Sequence, residues 1–438
     1  LPYYYVYRKL KMNCDTGNIS YIKDSDVQFI VDEFYNNETS NVVIQKYTVQ
    51  NASASLLGYL SDYWRVKIKV LVNNKRDQLS FFIKSICKSN DSKAHVVKDL
   101  NLFDQEVQYY NGVKNLRKTV KLKPWCAHLV TTLPEALVLE DLRDKKYSIR
   151  DVLKKFDVSH TLQTLKTLAT FHAATIIFEE KRTEELKRPY KITEDYDYIT
   201  QKAGYEESEL WFQQNMLGGL EVVKTYSKYA DDKALMVKIE SQWEAFWISA
   251  LKLVNDENNS DERKVICHRD LWNNNIMFHY KNEDNLEPDD CVLVDFQAIR
   301  YQSLVSDVMM FLHVNLGREF REQTETKFLN YYYEQFQTIL RDHSIDVNDI
   351  MSKVKFLKEA NRLRKWGLLT SACLVPQIYI SDEIITKHFS DTENFEKNVL
   401  KNKGQFIKSM IADNDDYKTT VMEVYDEIVE RYFLQGFN

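Results

Sequence analysis

The sequence predicts an α+β protein of two lobes, a small antiparallel-sheet lobe over residues 13–140 and a large, mostly helical lobe over 141–438. Three observations predict it. Alternating strand-like segments joined by a turn concentrate before residue 140, while apolar residues at helical spacing dominate the rest of the chain. At 438 residues the chain also exceeds the ~250–300 residues at which a single hydrophobic core stops growing.

In chain order, Trp64, Val66, Ile68 and Val70 fall on one face of a segment whose intervening residues are basic, the period of a half-buried strand over 64–71. Residues 73–77 read as a turn and 79–86 as the returning strand, making an antiparallel hairpin. One charged helical pattern covers 97–111, and a short apolar strand covers 136–140. Beyond it, Leu162, Leu165, Leu168, Phe171 and Ala174 recur at helical spacing within 160–178, and similar patterns cover 206–226, 233–254, 323–340 and 351–370. Three apolar strands interrupt the helices, at 265–267, 276–278 and 291–294.

Composition narrows the function. Hydrophobic residues at 44% against 28% charged give the balance of a globular protein with a large core. The net charge of −6 leaves no basic surplus to neutralise a phosphate backbone, so a nucleic-acid partner is not expected. No apolar run approaches the ~20 residues of a membrane span. Six cysteines without a CxxC pair argue against a disulfide framework or a zinc site and for a reducing, cytoplasmic location. Residues 1–12 lack the order of a secretory signal and read as a non-native or disordered start, with Met12 the expected initiator.

The polar residues at the strand ends carry the chemistry. His268, Asp270 and Asn275 form the pattern H-x-D-x-x-x-x-N after one apolar strand, and a later apolar strand runs into Asp295, Phe296 and Gln297. Phosphoryl transfer asks little covalent chemistry of a protein. It needs an acceptor hydroxyl held in line and Mg²⁺ across the phosphate oxygens. Asp270 suits the catalytic role of accepting or orienting the hydroxyl proton, and Asn275 and Asp295 are hard oxygen donors of the kind Mg²⁺ prefers. The pattern alone arises by accident, but each flanking strand delivers its polar residue to a loop mouth, which makes the combination selective.

This loop resembles the catalytic loop shared by protein kinases and the choline and aminoglycoside kinases, with Asp295-Phe296-Gln297 in place of their magnesium-binding Asp-Phe-Gly. More narrowly, residues 268–278, 294–301 and 306–312 look like the insect ecdysteroid kinase-like family. The resemblance implies a protein kinase-like fold and an ATP- and Mg²⁺-dependent phosphotransferase whose acceptor is a small-molecule alcohol, a steroid or a xenobiotic undergoing detoxification. It also implies that Lys84 holds the α- and β-phosphates, that Glu106 on the next helix is its partner, and that Glu140, Asp141 and Leu142 form a hinge whose main chain contacts adenine. His268 and Asp307 become supports of the catalytic loop, and His172 a satisfied core histidine.

Two departures shape the substrate reading. No G-x-G-x-x-G precedes the first strand, and Gly58 and Ser61 stand where a phosphate-covering loop is expected. No Ala-Pro-Glu follows Gln297 and the run to Asp307 is short, so a peptide has no platform. The insertion over 179–264 offers Tyr196, Tyr198, Tyr205, Trp211, Phe212, Trp243, Phe246 and Trp247 as walls of a pocket or as core. Its Glu206, Glu207 and Glu209 suit a cationic acceptor or a solvated face. A protein Ser/Thr kinase and a non-catalytic nucleotide-binding protein are the remaining alternatives.

Overall fold

The structure, a computed structural model, describes residues 22–36, 42–53, 60–88, 90–200, 205–255, 263–281, 287–389 and 391–434. Residues 1–12 and Gly58 lie outside the described residues. Helix α1 (Asp24–Phe34) precedes β1 (Val42–Asn51), β2 (Ser61–Val72) and β3 (Lys75–Ile86). Helices α2 (Asp91–Asp99) and α3 (Leu102–Val120) then lead to β4 (Leu129–Leu133) and β5 (Ala136–Glu140). The five strands form one antiparallel sheet in the order β1-β2-β3-β5-β4. The hairpin turn is tighter than its sequence suggests, because Asn73 and Asn74 make it alone with φ of 50° and 63°, and Val72 faces Lys75. Asparagine tolerates this left-handed backbone, and two such residues match the twist of the strands they join.

Side chains alternate across β2 and β3, and the two faces do different work. Val66, Ile68, Val70, Phe81 and Ile83 are buried with Val27, Ile30 and Val31 of α1 in one core. Tyr63, Arg65, Phe82 and Lys84 line a cleft on the other face. Three helices occupy this region where the sequence pattern predicts one; α1 and α2, at 11 and 9 residues, are too short to declare a period.

The second lobe opens with β6 (Tyr147–Ile149), α4 (Val158–Leu186), α5 (Leu210–Tyr226) and α6 (Lys233–Asn255). Four short strands come next: β7 (Val265–Cys267), β8 (Ile276–His279), β9 (Asp290–Leu293) and β10 (Arg300–Gln302). Helices α7 (Leu304–Asn315), α8 (Arg318–Asp342), α9 (Val347–Ile350), α10 (Lys353–Ile378), α11 (Asp382–Phe389), α12 (Thr392–Phe395), α13 (Lys403–Asp413) and α14 (Asp415–Val429) complete it. Every residue of α7 is buried, so it has no polar face and shows no amphipathic period in the sequence. It packs against α10 so closely that a Cβ on Gly367 meets His313 Nδ1 at 2.5 Å and the Met309 carbonyl oxygen at 2.9 Å. Gly367→Ala is therefore expected to destabilise the fold by about 1–3 kcal/mol, read as a lower urea midpoint. A midpoint equal to wild type means the two helices separate without cost.

Among the described residues no single helix is long and apolar enough to cross a membrane. The C-terminal helices also reach back to the small lobe. Ser92 Oγ donates to Glu396 Oε1 at 2.5 Å and Thr392 Oγ1 to Asn90 Oδ1 at 3.3 Å, while the Lys93 ammonium sits 5.7 Å from the centre of the Phe395 ring.

Candidate functional site

The short strands place two loops side by side. Residues 268–275 leave β7 and enter β8, whereas 294–299 leave β9 and enter β10. β7 pairs with β10 and β8 with β9, so ladders fasten both ends of both loops to each other, with Cys267 opposite Arg300 and Ile276 opposite Leu293. The loops are also braced internally. Asp307 of α7 accepts the backbone N–H groups of His268 and Arg269 at 2.6 and 2.9 Å. His268 Nε2 donates to the Val294 carbonyl at 2.9 Å, and its Nδ1 accepts from the Asp270 N–H at 3.3 Å, which assigns the tautomer. Burial pushes the His268 pKa down, in keeping with a neutral ring. His172 closes this network, since Tyr332 donates to its Nδ1 at 2.6 Å and its Nε2 lies 3.2 Å from Asp307, so it is a satisfied core residue.

The bracing holds unusual backbone. Arg269 and Asp295 have φ of 63° and 67°, left-handed values that cost a side-chain-bearing residue and persist where surroundings enforce them. Asp295 is thereby turned to Lys84, whose ammonium lies 2.6 Å from Asp295 Oδ1 and 2.6 Å from Glu106 Oε2. Burial alone lowers a lysine pKa, but the two carboxylates prevail and hold Lys84 above its ordinary value, so it stays charged. Glu106 is in turn fixed by the Phe296 N–H at 3.2 Å. Asn275 donates from Nδ2 to the Asp270 carbonyl at 2.8 Å and to Asp270 Oδ2 at 2.9 Å, leaving its amide oxygen as the end that can meet a cation. Burial first, and the neighbouring Asp295 charge second, push Asp270 up to about 7.

Lys84, Glu106, Glu140, Asp141, Leu142, Asp270, Asn275 and Asp295 all line one cleft of about 260 Å³ between the lobes. Ser61 begins β2 opposite Ile86, and the cleft instead meets its neighbours Leu60 and Tyr63. The Asp141 carboxylate accepts from Arg65 Nε at 2.5 Å and from Ser80 Oγ at 2.9 Å, while Glu140 accepts from the His128 N–H at 2.9 Å. These side-chain bonds hold the segment in place at the edge of the cleft. Tyr63 was not singled out by sequence, although the alternation that buries Val66 already assigns it to the cleft face.

The far wall divides the aromatic residues between the two readings left open for them. Among the described aromatic residues of the insertion, Tyr205 and Trp211 line the cleft, while Phe212, Trp243, Phe246 and Trp247 are core. The rest of the wall is Val96, Leu100 and Leu102 from α2–α3, with Leu374, Ile378, Phe389, Phe395, Val399 and Leu400 near the C-terminus. Glu209 lines it too, whereas Glu206 is drawn to Arg300 at 3.3 Å.

An uncharacterized kinase-like protein of Caenorhabditis elegans is 24% identical over 263 residues, 58% of this chain and 62% of that protein, so the matched part spans less than two thirds of the relative. Among solved structures, a choline kinase of Streptococcus pneumoniae aligns over 93% of this chain and 99% of its own at 12% identity and a TM-score of 0.37. An AMP-bound spectinomycin phosphotransferase aligns over 81% and 90% at 12% identity and a TM-score of 0.36. Residues 56–345, well over half of the chain and including the whole Lys84–Asp307 network, match one family of kinase-like phosphotransferases: the chain belongs to the ecdysteroid kinase-like family and has its two-lobed fold.

Proposed function

We propose that this chain is an ATP-dependent kinase that transfers the γ-phosphate to a hydroxyl of a bulky apolar small molecule, a steroid or a xenobiotic alcohol. The observation that carries the reading is Lys84, held between Glu106 and Asp295 across the lobes, facing the cleft that also holds Asp270 and Asn275. In this reading residues 13–140 are the nucleotide lobe and 141–438 the helical lobe. Lys84 contacts the α- and β-phosphates, and the main chain at Glu140 to Leu142 receives adenine. Asp270 orients the acceptor hydroxyl and takes its proton. The amide oxygen of Asn275 and the Asp295 carboxylate are a donor set that fits Mg²⁺, and these two residues would hold it. Such a cation neutralises charge on the phosphate oxygens.

The apolar wall of Leu374, Ile378, Phe389 and Phe395 supports an apolar acceptor, for which detoxification or steroid inactivation is the matching role. Cys126, Cys267, Cys291 and Cys373 are free and buried, which supports a cytoplasmic setting. Glu209 in the lining favours a second reading, a cationic acceptor of the choline or aminoglycoside kind.

Incubation with ATP, Mg²⁺ and a library of steroid, xenobiotic, choline and aminoglycoside alcohols, followed by mass spectrometry, separates these readings. The expected result is phosphate added to apolar alcohols and lost on chelation of Mg²⁺. Labelling confined to cationic alcohols, or to peptides, overturns it.

A further inference from the structure

One stretch of the cleft wall is built by both lobes. Val96 and Leu100 of α2 and Leu102 of α3 come from the small lobe, while Phe389, Phe395 and Val399 come from beyond residue 345, where the family match ends. All six are apolar. Ser92 Oγ donates to Glu396 Oε1 at 2.5 Å, and the Lys93 ammonium lies 5.7 Å from the Phe395 ring centre, so α2 itself fixes the segment that faces it. Phe395 is only 2% exposed, which keeps its ring packed in one position.

The same small-lobe residues lead to Lys84. Only Leu100 and Asn101 separate α2 from α3, and Val97 and Leu102 are buried in one cluster, so the two helices shift as a unit. Leu102, Glu106 and Tyr110 recur at i, i+4 and i+8 and present one stripe of α3 to the cleft. Glu106 is the carboxylate that lies 2.6 Å from Lys84. A body seated against Val96 and Leu102 therefore bears on the helix that carries the partner of Lys84.

Resting on the kinase reading of the same cleft, we propose that this two-lobed wall is the apolar subsite for the body of the acceptor, with Phe395 a specificity-determining residue, and that filling it couples acceptor to nucleotide. The acceptor class is a rigid alcohol of several rings, because aliphatic and aromatic walls reward apolar area in proportion to its size. Contact with both lobes favours the arrangement in which Glu106 meets Lys84, so acceptor and ATP tighten each other by the same factor.

Cyclohexanol, decalol and testosterone, apolar alcohols of one, two and four rings, serve as probes with the full chain, ATP and Mg²⁺. The expected kcat/KM rises by about 100-fold from cyclohexanol to testosterone, chiefly through KM. With AMP-PNP in place of ATP, testosterone lowers the nucleotide Kd by about fivefold or more, and cyclohexanol changes it by less than about twofold. Phe395→Ala costs about tenfold more on testosterone than on cyclohexanol and removes the coupling. Val96→Trp fills the subsite from the facing lobe at a half-buried position, and the same pattern is expected of it, so the test stands even where Phe395→Ala unfolds. Ser92→Ala, which removes the bond to Glu396, weakens the coupling more than it lowers kcat on cyclohexanol. A flat ring series, no transfer to testosterone, a nucleotide Kd that testosterone leaves unchanged, or equal losses on both alcohols in Val96→Trp overturns the proposal. Full turnover of cyclohexanol in Asp270→Asn instead sinks the kinase reading beneath it, so the two failures are distinct.

Discussion

Asp270→Asn is expected to lower kcat for phosphate transfer by about 100-fold or more while the KM for ATP changes little. The substitution is isosteric. Asn275 keeps its bond to the Asp270 carbonyl and finds an amide oxygen in place of Oδ2, so the loop has no reason to collapse. What disappears is the group proposed to take the acceptor proton. Stability supplies an independent check, because burial and Asp295 raise the Asp270 pKa to about 7 in the folded chain. A carboxyl so raised favours the folded state least when ionised. Without Mg²⁺, wild type should therefore lose stability relative to Asp270→Asn as pH rises from about 4, where the unfolded group titrates, to about 7, and the difference should be constant above that. Unchanged turnover refutes the catalytic assignment. A flat pH difference refutes the buried-carboxyl account.

Asp307→Ala is expected to cost about 3–5 kcal/mol of stability. One carboxylate, itself buried, accepts from the His268 and Arg269 N–H groups and from His172. Removing it strands those donors away from water, and the left-handed Arg269 loses what holds it. Asp307→Asn retains an acceptor oxygen and should fall between alanine and wild type. The comparison is made by urea midpoints with matched slopes; a loss below about 1 kcal/mol means the loop is held by its ladders alone.

The loop of His268, Asp270 and Asn275 was legible because its polar residues are close in sequence and bounded by apolar strands, so local pattern and tertiary placement coincide. Lys84 and Glu106 were legible only through resemblance. Nothing in a strand lysine and a helix glutamate 22 positions apart says that they approach to 2.6 Å. The aromatic residues show the opposite limit. Spacing identifies the apolar face of α6 but not its cover, and Trp243, Phe246 and Trp247 turn out to be covered by protein. The C-terminal wall was missed because α11 and α12, at 8 and 4 residues, are too short to display a period. Helix α7 was missed because uniform burial erases one.

The contact between α2 and residues 392–396 ties the lobes together at a point away from the Lys84–Asp295 bridge. Two hydrogen bonds and one cation–aromatic contact join them there. With each worth about 0.5–1.5 kcal/mol net, this contact weighs a few kcal/mol at most. A ligand large enough to reach this edge of the cleft meets a seam of hydrogen bonds and one aromatic ring, which is cheap to displace compared with the buried ion pairs deeper in.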